Sequence, residues 1–317
     1  MTEAPWTASV VAGIALLAMA TILAFSRFWL LALLVHIRRH VAILALILAL
    51  PAALTTGPPM LAILLCGAAL AICAFNVVLT RRRMPASPEG KCHGLVLRVI
   101  FANVLHSNEQ FQRLIAWVKA ENADILMASE VTDRWVAALR ALEPQLPFGH
   151  GARHGEVAIL SRLPIGRSQN DPALGFARLA TAEIATPAGP VELVVVHPPP
   201  AMPAACAATN LRVIAAAGQL ARKAGGRVIV AGDFNATPWS PAFRAMLGES
   251  GLALGRGAGR PTWPTWLPAW LGLPIDHILA GRGCLILQRR HGPRIGSDHR
   301  PVLADIRCFP ALLQRSV

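Results

Sequence analysis

Long apolar runs open the chain, and then the rhythm changes. "WTASVVAGIALLAMATILAF" (Trp6–Phe25), "VAILALILALPAALTTG" (Val41–Gly57) and "MLAILLCGAALAICAFNVVL" (Met60–Leu79) contain no charged residue. About twenty apolar residues in a helix cross a bilayer core, so residues 1–80 read as a three-helix transmembrane anchor. Pro51 would kink the second helix, and "TGPP" would turn the chain tightly between the last two. A cleavable leader is the alternative for the first run, but no basic segment precedes it and two further runs follow. The piece "SRFWLLALLVHIRRH" fits an interfacial segment or the end of a long tilted first helix.

After "RRRMPASPEG", a linker over 81–92, the apolar pattern shortens into alternating elements of one domain over 93–310. "GLVLRVIFANV" predicts a strand. "NEQFQRLIAWVKAEN" predicts a helix with Asn108 as N-cap and Phe111, Leu114, Ile115 and Val118 on one face. "ADILMASE" predicts a buried strand ending on Glu130, and "TDRWVAALRAL" a capped helix. "EVAILS", "ARLATAEIAT" and "PVELVVVH" read as consecutive strands, the last ending on His197. "ATNLRVIAAAGQLARKAG" is a helix closed by Gly225, and "GRVIVAGDFN" the next strand, followed by "PIDHILA", "CLILQRR" and "PVLADIR". Strands mixed with helices in this order predict α/β layers around mixed sheets.

Charge is uneven. The net charge is +13, and the whole chain holds 17 acids. Residues 1–83 contain one acid, Glu3, and six Arg, which leaves 24 bases against 16 acids beyond them. That balance suits an anionic partner, whether a phosphate-bearing substrate, nucleic acid or an acidic membrane face, although Arg-rich coding accounts for part of it. Arg27, Arg38 and Arg39 in the first loop and Arg81 to Arg83 after the third run share a side. The positive-inside rule assigns that side to the cytoplasm. The six Cys show no CxxC spacing, so neither a zinc site nor a disulfide framework is expected.

Candidate chemistry collects where strands end. Asn103, Glu130, His197, Asp233 with Asn235, Asp276 with His277, and Asp298 with His299 each lie at a strand terminus. Singly, such residues are turn formers, caps or satisfied core groups. Their repetition over six segments is the informative feature. In "VIVAGDFNATPWS", Asp233 and Asn235 flank Phe234, so both leave the same face of an extended chain. Carboxylates and amides with few sulfurs suit Mg²⁺ or Mn²⁺.

In chain order "FANVLHSN", "DILMASEV", "VHPPP", "GDFNATPWS", "TWP…PIDHIL" and "GSDHRPVLADI" resemble the endonuclease/exonuclease/phosphatase superfamily, the fold of pancreatic-type deoxyribonuclease. The resemblance covers Leu95 to Arg307. It implies a four-layer α/β sandwich, two packed mixed β-sheets flanked by helices. The anchor further resembles a membrane-bound bacterial branch associated with resistance to teicoplanin-type glycopeptides. That likeness implies an outward-facing domain in the plasma membrane, against the charge argument, and the side stays open at this point.

The resemblance implies metal-assisted hydrolysis of a phosphate ester. Glu130 is then the principal metal ligand, with Asn103 beside it and Asp298 completing the shell. Asp233 holds or deprotonates the attacking water, and Asn235 donates to a phosphoryl oxygen. His299 partners the phosphate, oriented by Asp276, and His197 acts from the opposite side. His277 reads equally as a substrate contact or a core residue. Trp263, Trp266 and Trp270, in "PTWPTWLPAWLGLP", are candidates for substrate binding or for dipping into a membrane interface. The chain has no Tyr, so the phenol of the abasic-site repair branch is missing, and aromatics do not interleave with bases for nucleobase stacking. The expected activity is that of a membrane-anchored, Mg²⁺-dependent phosphoesterase for a lipid-linked substrate. A membrane-bound nuclease and a non-catalytic binding module are the alternatives.

Overall fold

The computed structural model describes residues 94–151, 156–170, 178–202 and 204–310, with isolated helical positions between residues 35 and 71. The chain divides into two compact units, Met1–Arg81 with Trp239–Pro241, and Arg82–Pro238 with Ala242–Val317. Apart from those isolated positions, the three expected spans lie outside the described residues. Among the described residues no helix is long and apolar enough to cross a membrane.

The second unit holds two six-stranded sheets. In one the spatial order is β11 (Cys284–His291), β12 (Val302–Cys308), β1 (Leu95–Asn103), β2 (Ile125–Ser129), β4 (Val157–Ser161) and β3 (Phe148–Gly151). In the other it is β5 (Ile165–Asn170), β6 (Leu179–Ile184), β7 (Val191–Val196), β8 (Val228–Asp233), β10 (Asp276–Ala280) and β9 (Ala253–Leu254). Each sheet has one parallel pair near its centre, β1 with β2 and β7 with β8, and its other pairs are antiparallel. The parallel pairs need crossovers. Helix α1 (Phe111–Ala120) joins β1 to β2, and α3 (Ala204–Lys223) joins β7 to β8.

Alternation assigns the faces. Leu97, Val99 and Phe101 of β1 enter the core between the sheets with Ile125, Met127, Val195, Ile229 and Ala231. Ile100 and Ala102 point the other way, beneath α1 and α2 (Asp133–Leu139), with Leu114, Ile115 and Trp135. On the second sheet Val194, Val196 and Val230 pack under α3 and α4 (Pro241–Ser250), against Val213, Ile214 and Phe243. Strands buried on both faces read as continuous apolar runs, which is why "ILMAS" and "VIVAG" show no polar alternation. The layers therefore stack helix, sheet, sheet, helix, as the four-layer expectation required.

Two local expectations fail. Asn108 does not cap α1; the capping position is Gln110, with no side-chain bond. Asn108 instead accepts from the Gln110 N–H at 2.9 Å and donates to the carbonyls of Val104 and Ile295 at 3.0 and 3.1 Å. It thus pins the loop after β1 to the loop before β12. The second departure is a disulfide, Cys284–Cys308, between directly opposed residues of β11 and β12.

Candidate active site

The parallel pairs place strand termini side by side. Asn103 lies opposite Ser129, so the end of β1 meets Glu130 just past β2. Val196 lies opposite Gly232, which sets His197 beside Asp233. Antiparallel neighbours contribute their beginnings to the same edges. Asp276, first in β10, faces Asp233, and Val157, first in β4, faces Ser129 and brings Glu156 there.

Asn103 joins the two sheets. Its Nδ2 donates to Glu130 Oε1 at 2.9 Å and to Asp233 Oδ2 at 3.1 Å, while its Oδ1 accepts from the Leu105 N–H at 3.0 Å. Oriented this way, the amide spans two carboxylates, and its oxygen, expected to be a metal ligand, is taken by backbone. Glu130 has φ +58°, a left-handed conformation that costs a non-glycine residue about 1–2 kcal/mol. Strain of this kind collects at functional sites, and here the carboxyl meets the Asn103 amide and the His106 backbone N–H. Glu130 Oε2 also accepts from the backbone N–H of His106 at 3.0 Å and lies 3.1 Å from its Nδ1. Burial alone would raise the Glu130 pKa, but the bonds from Asn103 and His106 outweigh it and hold the carboxyl below its usual range.

Asp233 is the hub. Its Oδ1 accepts from the Asn235 N–H at 2.9 Å. Its Oδ2 lies 3.8 Å from His197 Nε2 and 3.7 Å from His299 Nε2. Burial pushes the Asp233 carboxyl above the ordinary carboxylate range, against the pull of His299 and with the push of Asp276. Each imidazole is turned by its own carboxylate. His299 Nδ1 meets the two Asp276 oxygens at 3.1 and 2.9 Å, and His197 Nδ1 meets Glu156 Oε2 at 2.9 Å. Burial opposes the charged form of both rings, yet the surrounding carboxylates outweigh it and raise both pKa values above the ordinary imidazole range. Arg178 Nη1 stands 3.6 Å from Glu156 Oε2 and adds a compensating charge. Asn235, at φ +46°, spends one N–H on the Pro198 carbonyl at 3.0 Å, leaving a second for a ligand.

The third contribution comes from the loop before β12. Trp263 Nε1 donates to Asp298 Oδ2 at 2.9 Å, and the Trp263 ring lies 6.4 Å from that of His299. Asp298 Oδ1 is buried without a hydrogen-bond partner and stands 4.0 Å from His299 Nε2. Two expected contacts do not reach this cluster. His277 leaves the opposite face of β10 from Asp276, as strand alternation demands. It is fully buried against Phe234 and Phe243 and bonds the Ala236 carbonyl at 3.0 Å, so it is a core residue. Trp266 is 70% exposed, three residues along the chain from Trp263. Sequence reasoning missed Glu156 and His106.

Among the described residues Asp233, Asp276 and His299 offer ligand atoms that all lie within 4.8 Å of one another. They form a poor metal centre. Both Asp276 oxygens are committed to His299, all three side chains are buried, and Mg²⁺ keeps several waters. Asp298 Oδ1, buried with no hydrogen-bond partner, is a carboxylate oxygen left over for a hard cation.

The sequence model of the Endonuclease/Exonuclease/phosphatase family matches residues 100–299. No curated protein matches the chain. Among solved structures, a humanized D. rerio TDP2 has a TM-score of 0.57 at 18% identity, over 67% of this chain and 98% of that one. Sphingomyelinase C from Streptomyces griseocarneus has 0.51 at 16%, over 67% and 99%. A beta toxin from Staphylococcus aureus with bound magnesium ions has 0.50 at 16%, over 67% and 99%. At such identities the likeness speaks for the fold.

Proposed function

This chain belongs to the endonuclease/exonuclease/phosphatase family, and from that premise we propose that it is a membrane-anchored, Mg²⁺- or Mn²⁺-dependent phosphoesterase. It would hydrolyse a phosphate ester or pyrophosphate of a lipid-linked substrate by in-line attack of water. Members of the family are phosphoesterase hydrolases, generally dependent on a divalent metal. The observation that carries the reading is the bridge of Asn103 between Glu130 and Asp233, with two carboxylate-backed imidazoles on the same Asp233 oxygen.

Glu130 and Asp298 would hold the ion, and their hard oxygens fit it. When bound it supplies Lewis acidity to a phosphoryl oxygen and offsets developing charge. The chain's own groups do the rest. Asp233, its carboxyl raised by burial, is suited to take a proton from water. His299, turned by Asp276, presents an Nε2–H to a phosphoryl oxygen, and the second N–H of Asn235 does the same. His197, turned by Glu156, delivers its proton to the leaving oxygen from the other side.

Lipid linkage is supported by the uncharged runs of the first eighty residues and by the Trp-rich loop rooted at Asp298. Confinement to a bilayer raises the effective concentration of a substrate held there. We place the domain on the oxidising, outward side of the plasma membrane, because disulfides such as Cys284–Cys308 persist there. This departs from the positive-inside assignment. The test is a panel of lipid pyrophosphates, phospholipids and duplex oligonucleotides, offered with Mg²⁺ to the full chain in lipid nanodiscs. Turnover confined to the lipid esters is expected. The net charge of +13 favours the nuclease reading; cleavage of duplex at a comparable rate, falling steeply with salt, would establish it.

A further inference from the structure

The segment that supplies Trp263 to the site continues outward into an apolar ledge. Trp266 is 70% exposed, Trp270 65% and Leu271 36%, all within six residues. The root of the segment is fixed. Thr265 N donates to the Asp298 carbonyl at 2.8 Å, Thr265 Oγ1 to the Ser297 carbonyl at 3.0 Å, and Trp263 bridges to Leu273. The tip is a short 3-10 turn, Ala269–Leu271, closed by the Leu271 N–H on the Pro268 carbonyl at 2.9 Å. Pro264, Pro268 and Pro274 stiffen the rest. A loop ordered in advance gives up little entropy on docking, yet its largest side chains face water.

We propose that Trp266, Trp270 and Leu271 form a membrane-contact face that lowers the catalytic cleft onto the lipid headgroups. The inference deepens the reading of a membrane-tethered phosphoesterase and rests on it. Three features favour a bilayer as the occupant. Indole concentrates at the boundary between headgroups and acyl chains. Arg294, whose Nη2 donates to the Thr265 carbonyl at 2.7 Å, sets an exposed positive charge at the neck of the loop, where phosphate headgroups would lie. The uncharged runs at the start of the chain predict a bilayer within reach of this domain. Because the root bonds Asp298 and the Trp263 ring lies 6.4 Å from His299, a docked ledge would present the cleft to esters still seated in the membrane.

The full chain, reconstituted in vesicles of phosphatidylethanolamine and phosphatidylglycerol with brominated acyl chains, tests this through tryptophan quenching. The double variant Trp266→Phe/Trp270→Phe removes two reporters while keeping the loop apolar, and a thermal melt checks its fold. With Trp6 and Trp29 in the anchor, four indoles should lie near lipid, so the quenched amplitude should fall by about half in the variant. An unchanged amplitude would mean that the two indoles stay in water or against protein, and would overturn the proposal. If the amplitude falls but the wild-type protein, supplied with Mg²⁺, hydrolyses neither the phospholipids of those vesicles nor lipid pyrophosphates added to them, the contact face stands and the phosphoesterase reading fails.

Discussion

Gly232→Ala is the most demanding substitution near the site, since the obstacle it meets cannot rotate away. Gly232 precedes Asp233 in β8 and pairs with Val196, which precedes His197 in β7. A Cβ at Gly232 would lie 2.2 Å from the Val196 carbonyl oxygen and 2.5 Å from Val196 Cγ2, where real Cβ contacts stay above 3.0 Å. The strands must therefore part by about 0.8 Å at the position that sets His197 against Asp233. Overpacking against backbone should cost about 3 kcal/mol, or about 6–12 °C in Tm for a domain of this size. A displacement near 1 Å between reacting groups lowers turnover by about 100-fold. Thermal melts followed by circular dichroism, with steady-state hydrolysis of bis(4-nitrophenyl) phosphate, measure both. A variant with wild-type Tm and kcat would refute the idea that this close approach positions the two residues.

His277 provides a pH test of the core. Burial, followed by the charge of Arg289, lowers its pKa to about 4. The unfolded chain takes a proton near pH 6.5 that the folded chain refuses, so this contribution is complete above pH 6.5 and lost as pH falls towards 4. The loss should reach about 3 kcal/mol. Urea unfolding should show that slope, and His277→Gln should flatten it; an equal slope in both would contradict the assignment. Replacing Cys284 and Cys308 together by Ser opens a loop with a sequence separation of 24 and should cost about 3 kcal/mol in urea melts without reductant. Equal stability would show that the bond contributes nothing. Trp263→Phe removes the donor that orients Asp298, and should raise the Mg²⁺ concentration for half-maximal rate by about tenfold or more. An unaltered Mg²⁺ dependence would take Asp298 out of the metal site.

The architecture was legible because β1, β2, β7 and β8 are buried on both faces and so spell short apolar runs, with amphipathic helices between. The site was legible wherever a strand of a parallel pair ended, at Asn103, Glu130, His197 and Asp233. Glu156 escaped because it opens "EVAILS" with no polar neighbour inside the strand, whereas Asp276, also at the start of a strand, is followed by His277. β4 runs antiparallel to β2, and only that pairing carries its beginning to the edge where β2 finishes. His106 lies in the loop after β1 with no periodicity to mark it. His277 was ambiguous in "PIDHIL" until strand alternation sent it away from Asp276, into the Phe234–Phe243 layer. The disulfide could not be read from spacing, because Cys284 and Cys308 meet only through the register of β11 and β12.

Hydrolysis of bis(4-nitrophenyl) phosphate at saturating Mg²⁺ by the full chain and its Asp233→Asn variant is the most direct test of the central claim. That substitution keeps the shape of the buried hub and removes its capacity to take a proton. Turnover by the wild-type protein is expected, with a loss of about 1,000-fold in the variant and an unchanged melt. Wild-type inactivity, or a folded variant within twofold of wild type, would contradict it.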